Sequence, residues 1–150
     1  MDCLFCDFAT GTRKKHINGM TFRKLHESKH ALSFLSIDFP AAEAGHIIVI
    51  PKSHFYLIED IPDNILFDLI KEVRVISSVL KIRNEGTNIL LNNGETAGQK
   101  IPHAHFHVIA RNKGDNIDLE QFQRKKISAK KFLALHNSLA RDSAMFKYRA

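Results

Sequence analysis

Apolar and polar residues along the chain fall into short runs whose lengths and spacing predict five β-strands. The first two runs mix apolar and polar positions, and Glu27-Ser28-Lys29 between them predicts a hairpin turn. The third run is almost wholly apolar and β-branched, which is typical of a central strand, and Pro51 ends it because proline cannot donate to a sheet ladder. The predicted strands are residues 20–26, 30–37, 46–50, 88–92 and 103–110.

Two helices complete the predicted pattern. Apolar residues recur near helical spacing from Ile65 to Leu80, and Pro62 stands where an early helical turn tolerates proline. These features predict a long helix from residues 60–63 to Arg83, and residues 128–146 predict a final helix. Three strands, a helix, two strands and a terminal helix indicate an α+β fold with a mostly antiparallel five-stranded sheet.

Three histidines, His103, His105 and His107, alternate with apolar residues in the last predicted strand. Side chains of a strand point alternately to its two faces, so the three imidazoles share one face at a spacing of roughly 6.6 Å. Ala104 and its apolar neighbours then face the core. Strict alternation beside a polar loop with two glycines, residues 93–100, favours a functional site over a set of surface histidines.

A catalytic zinc ion held by all three histidines, with water as the nucleophile, is the competing interpretation of this motif. Two ligands at successive positions on one strand face reach a single ion readily. The third must reach back roughly 13 Å from the first, by the rise of a strand, which is long for one ion.

Composition narrows the class of protein without identifying its chemistry. The 150 residues suit one domain, and no apolar run approaches the ~20 residues of a membrane helix. The first residues do not have the pattern of a signal peptide, so we expect a soluble cytoplasmic protein. A net charge of +6 favours phosphate-bearing partners, either small nucleotides or nucleic acid, although much of the excess lies in residues 124–131.

The two cysteines, Cys3 and Cys6, are separated by two residues. A disulfide across so short a loop would constrain the unfolded chain little. In a reducing compartment this spacing is more typical of metal or redox chemistry. A redox motif of the thioredoxin type follows a strand, whereas this pair stands at the beginning of the chain, so metal binding is the preferred interpretation.

Three blocks of the sequence together resemble the histidine triad (HIT) family of nucleotide hydrolases and transferases. They are His103-Ala104-His105-Phe106-His107-Val108-Ile109, residues 45–54 and residues 92–99. The resemblance covers roughly Cys3 to Arg111, so residues 1–111 are predicted to form a HIT domain. Residues 112–150 are predicted to be a basic, helical extension that packs on the same domain.

The resemblance implies a catalytic role for two of the histidines. The nucleophile of the family is the central histidine, which corresponds to His105, and a neutral imidazole can attack phosphorus to give a nucleotidyl-histidine that water cleaves. His107 matches the residue that forms a hydrogen bond near the phosphate or the leaving group.

Substrate contacts also follow from the resemblance. Asn92 corresponds to a polar contact, and Gln99 with the amides around Gly98 corresponds to a cradle for phosphate oxygens. Asp38, eight residues before His46, stands where the family has an acid that binds both ribose hydroxyls. Ser36 is the competing assignment for that position, and a structural role for Asp38 in a turn also remains open.

One residue departs from the family pattern. Many relatives carry Ser or Thr directly after the glutamine, whereas this chain has Lys100. Lysine adds a positive charge that suits a polyphosphate but is a less directional donor. The identity of the substrate therefore does not carry over from the family.

Zinc-containing members of the family imply a structural Zn²⁺ site. Its ligands correspond to Cys3, Cys6, His54 and His103, which give two thiolates and two imidazoles in a closed tetrahedral set. This assignment removes His103 from catalysis and places it beside the strand that carries His105.

The resemblance therefore predicts a purine nucleoside phosphoramidase or a dinucleoside polyphosphate hydrolase that pairs into a homodimer. The alternative is a nucleotide-binding interaction module on the same fold with weak catalysis, which Lys100 keeps open. A protein that processes nucleic-acid ends is less supported, because the basic tail has few aromatic residues among its charges.

Overall fold

The computed structural model describes residues 3–38, 44–119, 121 and 124–146. The chain divides into two compact units, Met1–Ile117 and Asp118–Ala150, and each is described by itself. The elements of the first unit are α1 (Leu4–Thr10), β1 (Lys24–Glu27), β2 (Ala31–Leu35), β3 (His46–Pro51), α2 (Asp63–Lys81), β4 (Gly86–Leu91) and β5 (Phe106–Arg111), with short 3-10 turns at Ile58–Asp60 and Glu95–Ala97.

All five strands form one antiparallel sheet in the order β1-β2-β3-β5-β4, which confirms the predicted α+β fold. The central pair, β3 and β5, places Ile48 opposite His107 and His46 opposite Ile109. The two edges of the sheet are β1 and β4.

Helices cover the two faces of the sheet. The long helix α2 packs Leu69, Val73 and Ile76 against one face, together with Val49 and Val108. On the other face, α1 contributes Phe5 and Phe8 to a second apolar cluster with strand residues of β2 and β3. Alternation along β3 therefore sends neighbouring residues into two separate apolar clusters, while Phe106 and Val108 of β5 belong to the cluster with α2.

The first and last predicted strands begin later in the structure than in the sequence prediction. Residues 20–26 do not form one strand, because Lys15 pairs with Thr21 and the Phe22 amide donates to the Lys14 carbonyl. Only Lys24–Glu27 joins the sheet. Similarly, β5 begins at Phe106, since the Ala104 amide donates to the carbonyl of Phe55 rather than to a sheet partner.

The sequence predicts no element at the chain start, where it indicates only the two cysteines, and helix α1 is therefore an additional element. It begins after Cys3 and ends at Gly11, whose left-handed conformation (φ 76°) lets its amide donate to the Phe8 carbonyl.

Among the described residues, no helix is long and apolar enough to cross a membrane.

The second unit contains α3 (Ala129–Ser143), which agrees with the predicted terminal helix apart from its last residues. Ser128 caps it, since its hydroxyl oxygen accepts from the Lys131 amide at 3.3 Å. The first unit extends to Ile117 and includes the ion pair between Asp115 and Arg111 at 2.7 Å. The HIT core of residues 1–111 and its packed extension, residues 112–150, stay predictions.

Candidate active site and metal centre

The candidate active site is a cavity of about 410 Å³ on the sheet face that α1 covers. A cavity of this size suits a small ligand. Five residues that the sequence predicts for the site line it together: Asp38, Asn92, Gly98, His105 and His107. Gln99 and His103 are not part of this lining.

His105 is held in one tautomer by the backbone of its own segment. Its Nδ1 atom lies 2.7 Å from the carbonyl oxygen of His103. Because a carbonyl oxygen only accepts, Nδ1 carries the proton and Nε2 keeps its lone pair. The ring is 5% exposed and meets Phe5 edge to face, with the ring centroids 5.1 Å apart. The geometry suits a neutral imidazole whose Nε2 serves as a nucleophile.

His46 and His107 form a second chain of hydrogen bonds beside His105. The Nδ1 of His46 donates to the Asp38 carbonyl, which leaves its Nε2 as an acceptor. The Nδ1 of His107 lies 2.9 Å from that Nε2 and donates to it. His107 therefore also presents Nε2, and its ring centroid lies 4.9 Å from that of His105.

Burial keeps these imidazoles neutral near pH 7. It lowers the pKa of His107 to about 4, and the neighbouring His105 and His46 contribute in the same direction. Burial also lowers the pKa of His105, although the bond to the His103 carbonyl opposes that shift. The pKa of His46 is lowered by burial against the effect of the Asp38 carbonyl.

Much of the cavity wall is apolar, and α1 contributes part of it. Phe5 and Phe8 line the cavity with Phe34 of β2, and Phe5 and Phe34 meet edge to face at 5.5 Å. Sequence reasoning missed both α1 residues because it treated this segment only as a source of metal ligands. The spacing of Leu4, Phe5 and Phe8 is the signal that could have indicated a helix with an apolar face.

The side chain of Gln99 forms hydrogen bonds that fix the loop between β4 and β5. Its side-chain oxygen accepts from the Gly94 amide at 2.7 Å, and its nitrogen donates to the carbonyls of Tyr56 and Ile101. Gln99 is 7% exposed. The predicted phosphate contact by Gln99 thus competes with a complete set of hydrogen bonds inside the loop.

The backbone amides of Gly98 and Gln99 also donate within the loop, and the phosphate cradle that the sequence predicts there stays a prediction. The Gly98 amide donates to the Glu95 carbonyl at 2.8 Å, and the Gln99 amide donates to the Gly94 carbonyl. What Gly98 supplies is its backbone conformation, with φ 92°, close to the side chain of Asn92. Asn92 forms no side-chain hydrogen bond with any described residue, so its amide can contact a ligand.

Both candidates for the ribose contact, Asp38 and Ser36, line the cavity. The Ser36 hydroxyl oxygen accepts from the Asp38 amide at 3.1 Å and is buried. The Asp38 residue is exposed, while its carbonyl holds His46. The geometry accommodates either assignment.

Cys3, Cys6, His54 and His103 form a cluster that could hold a metal ion, with their ligand atoms all within 4.8 Å of one another. Within the described ranges it is the only such group. The His103 Nδ1 lies 3.5 Å from the Cys3 Sγ, and the His54 Nδ1 lies 3.2 Å from the Cys6 Sγ.

These distances fit a tetrahedral ion. Metal–sulfur bonds of about 2.3 Å and metal–nitrogen bonds of about 2.0 Å would separate such atoms by about 3.5 Å. The Nε2 of His103 donates to the Pro51 carbonyl at 2.9 Å, so its Nδ1 lone pair faces the thiols. The zinc site formed by all three triad histidines is not supported, because this bond turns His103 toward the cysteines.

The chain matches a known protein family and is similar in sequence to several known proteins. The HIT domain family matches residues 20–114. An uncharacterized HIT-like protein of Methanocaldococcus jannaschii is 37% identical over 131 residues, which are 79% of this chain and 94% of that protein. Adenosine 5'-monophosphoramidase HNT1 of Candida albicans is 37% identical over 115 residues, 73% of this chain and 70% of that enzyme. Adenylylsulfatase HINT3 of Arabidopsis thaliana is 32% identical over 116 residues, 76% and 54% of the two chains.

Solved structures agree with the sequence relatives. A HIT family member from Bacillus subtilis has a TM-score of 0.79 at 26% identity, covering 94% of this chain and 96% of that one. A histidine triad nucleotide-binding protein from Candida albicans has a TM-score of 0.78 at 30% identity, covering 96% and 99%. A Zn-bound histidine triad protein from Mycobacterium smegmatis has a TM-score of 0.68 at 25% identity, covering 97% and 99%.

Proposed function

The chain belongs to the histidine triad (HIT) family, and on that premise we propose that it is a nucleotide hydrolase or transferase. Its substrate is a purine nucleoside phosphoramidate or a dinucleoside polyphosphate, cleaved at the α-phosphorus. The observation that carries the proposal is the His105 ring, whose Nδ1 is bound to the His103 carbonyl while Nε2 remains available in the cavity wall.

In the first step, the His105 Nε2 attacks the α-phosphorus and the bond to the leaving group breaks. The ring becomes positively charged, and the His103 carbonyl stabilises it through the Nδ1 proton. An anionic phosphate beside His107 favours the protonated form of that ring, which can then give its proton to the departing group.

In the second step, water attacks the nucleotidyl-histidine and returns a proton to His107. The hydrogen bond from His107 to His46, and from His46 to the Asp38 carbonyl, fixes the orientation of the His107 ring through both steps. His46 is therefore a positioning residue that does not touch the reacting atoms.

The remaining groups bind the nucleotide. The base lies among the apolar residues of the wall, the Asn92 amide contacts the phosphate, and Asp38 accepts from the ribose hydroxyls, with Ser36 as the alternative acceptor. Gly98 and Gln99 contribute by shaping the loop around the phosphate.

We propose that the cluster of four side chains, Cys3, Cys6, His54 and His103, holds one structural Zn²⁺ ion. Such an ion would complete a closed tetrahedral set that ties α1 to the segment before β5, without supplying a nucleophile. The Zn-bound relative supports this choice of metal. The two free thiols favour a cytoplasmic location.

We also propose that two copies pair through the edge strand β4, whose outer side has no strand partner among the described residues. Ile89 on this strand is 47% exposed, which leaves apolar surface for a second chain.

A substrate panel tests the proposal. Nucleoside phosphoramidates and dinucleoside polyphosphates are assayed with the wild-type protein, His105→Asn and His107→Ala. We expect His105→Asn to abolish turnover while nucleotide affinity is retained, and His107→Ala to slow turnover by roughly 10²–10⁴-fold, as for a lost proton-transfer partner. Full activity of His105→Asn on every substrate would refute the proposal.

A further inference from the structure

A second cavity, of about 450 Å³, opens beside the one that contains the histidines. The two share Gly98 and Lys100. The second cavity is similar in volume to the first, so each is large enough for one nucleoside. Its complete described lining is Tyr56, Glu95, Gly98, Gln99, Lys100 and Pro102.

Lys100 stands at the junction between the two cavities. Among the described residues it is the one Lys or Arg that lines either of them. It is exposed, and its ammonium group has no hydrogen bond or ion pair with a described residue. A lysine ammonium on a flexible stem can therefore turn toward a ligand on either side.

Glu95 lines the second cavity but not the first. From the first cavity, which contains His105, to the second, the positive charge of Lys100 therefore comes before the negative charge of Glu95. A leaving group that suits this order has its anionic part next to the scissile bond and hydrogen-bond donors further away. Tyr56 and Pro102 add apolar surface to the same lining.

We propose that the second cavity is the leaving-group subsite of the reaction described above, and that Lys100 makes it selective for a nucleoside polyphosphate. The inference rests on the proposed function. The phosphates of the leaving group contact Lys100, and its ribose hydroxyls donate to Glu95. The Glu95 carboxylate repels a leaving group that consists of phosphate alone. An amine leaving group carries no negative charge that Lys100 could stabilise.

The reaction balances without another reactant. The His105 Nε2 forms a bond to the α-phosphorus while the bridging phosphorus–oxygen bond breaks. The electron pair of that bond stays on the bridging oxygen, which becomes a terminal oxygen of the departing nucleoside polyphosphate. Lys100 stabilises the charge that develops there. His107 gives its proton to the departing group, and the water that then cleaves the nucleotidyl-histidine returns a proton to His107, so that neutral His105 is regenerated.

The test compares kcat/KM for diadenosine tetraphosphate with kcat/KM for adenosine 5'-phosphoramidate. In Lys100→Ser we expect this ratio to fall roughly ten- to a hundredfold, the effect of losing a hydrogen bond to a charged group. Lys100→Arg should retain most of the ratio. Lys113→Ser is the matched control, because Lys113 is exposed and lines neither cavity.

Glu95→Gln supplies a second arm. In Glu95→Gln, the ratio of kcat/KM for diadenosine tetraphosphate to kcat/KM for ATP should fall. The leaving group of the dinucleotide carries a ribose, which loses a strong acceptor, whereas the leaving group of ATP has no ribose and is repelled less by the neutral amide. Two results would overturn the assignment of the subsite. One is an unchanged ratio of dinucleotide to phosphoramidate kcat/KM in Lys100→Ser, and the other is an equal change of kcat/KM for diadenosine tetraphosphate and ATP in Glu95→Gln. Wild-type turnover of the phosphoramidate without the dinucleotide would also overturn it while leaving the proposed function intact. No turnover of either would instead count against the proposed function.

Discussion

The three histidines of the motif are alike in sequence but differ in what their Nδ1 atoms contact. The Nδ1 of His103 faces the thiols of the metal cluster, that of His105 donates to a carbonyl, and that of His107 donates to His46. Spacing in the sequence could predict that the three belong together. It could not predict these contacts, because the thiols and His46 come from other elements, and the bond from His105 to the His103 carbonyl depends on the local backbone conformation before β5.

At the same scale, the lowered pKa of His107 predicts a pH dependence of stability. The folded ring has a pKa of about 4, below the ordinary 6.5, so the unfolded chain binds more protons between these values. The free energy of unfolding therefore rises with pH through that window, and the contribution is complete above about 6.5. We expect the Tm difference between pH 7 and pH 5 to shrink in His107→Asn.

The control for this experiment is His136→Asn, which changes an exposed histidine on α3. It should leave the Tm difference as in the wild-type protein. A direct NMR titration of the His107 ring that gave a pKa at or above 6.5 would contradict the assigned environment.

The ribose contact gives a second prediction for single residues. If the Asp38 carboxylate accepts from both hydroxyls, Asp38→Ala should weaken ribonucleotide binding by about 1.5–3 kcal/mol and deoxyribonucleotide binding far less. The bond to His46 survives, since it uses the Asp38 backbone carbonyl. Calorimetry with both sugars, on Asp38→Ala and Ser36→Ala, measures the difference. Equal losses for both sugars in Asp38→Ala would favour Ser36 as the acceptor or a purely structural Asp38, and Ser36→Ala separates these two outcomes.

Among the elements, α1 connects the cysteine and histidine cluster that could hold a metal ion to the candidate active-site cavity. Cys3 and Cys6 stand at its beginning, while Phe5 between them lines the cavity and packs against the rings of His103 and His105. The predicted sheet, α2 and α3 were visible in the sequence because their patterns extend over many residues. A seven-residue helix offers too few turns for its periodicity to be recognised.

The late start of β5 has a similar physical origin. Alternation correctly sends Ala104, Phe106 and Val108 into the core with α2, so the residue pattern matches a strand from the first histidine. Sheet pairing nevertheless begins only at Phe106, because the Ala104 amide donates to the Phe55 carbonyl. A hydrogen bond to a distant loop leaves no trace in the periodicity of the sequence.

The connection through α1 predicts how the protein responds to losing its metal ligands. As purified, the protein should contain about one zinc per chain, and Cys3→Ser or Cys6→Ser should lower both zinc content and Tm. Ser53→Ala, next to His54 but outside the cluster, is the control. Elemental analysis of protein never exposed to chelator or acid would refute the zinc assignment if it found no zinc.

At the scale of the whole molecule, the charge is divided unevenly between the two units. Residues 118–150 contain eight Lys or Arg and three Asp or Glu, so they carry +5 of the net +6. The basic composition that favoured a phosphate-bearing partner therefore lies mostly outside the unit with the cavity. Within that unit, we expect attraction for phosphate to depend on individual residues that line the cavities, such as Lys100, which total charge could not reveal.

The proposed pairing of two copies gives a prediction for the assembled protein. Light scattering should report about twice the chain mass of 17.1 kDa. Ile89→Lys on β4 should shift the population toward single chains, because a charge on an edge strand opposes pairing. Leu25→Lys on the opposite edge strand β1 is the matched control and should stay paired. A single-chain mass for the wild-type protein at micromolar concentration would contradict the pairing.

In the proposed mechanism His105 forms a covalent bond to the nucleotide, and rapid-quench trapping can detect this intermediate. The protein is mixed with a nucleoside phosphoramidate labelled at its α-phosphate, quenched in the first turnover, and mapped by peptide mass. We expect the label on His105 in the wild-type protein, its accumulation when water attack is slow, and its absence in His105→Asn. Product formation with no label on His105, or with inverted stereochemistry at phosphorus, would contradict it, since two in-line displacements give net retention.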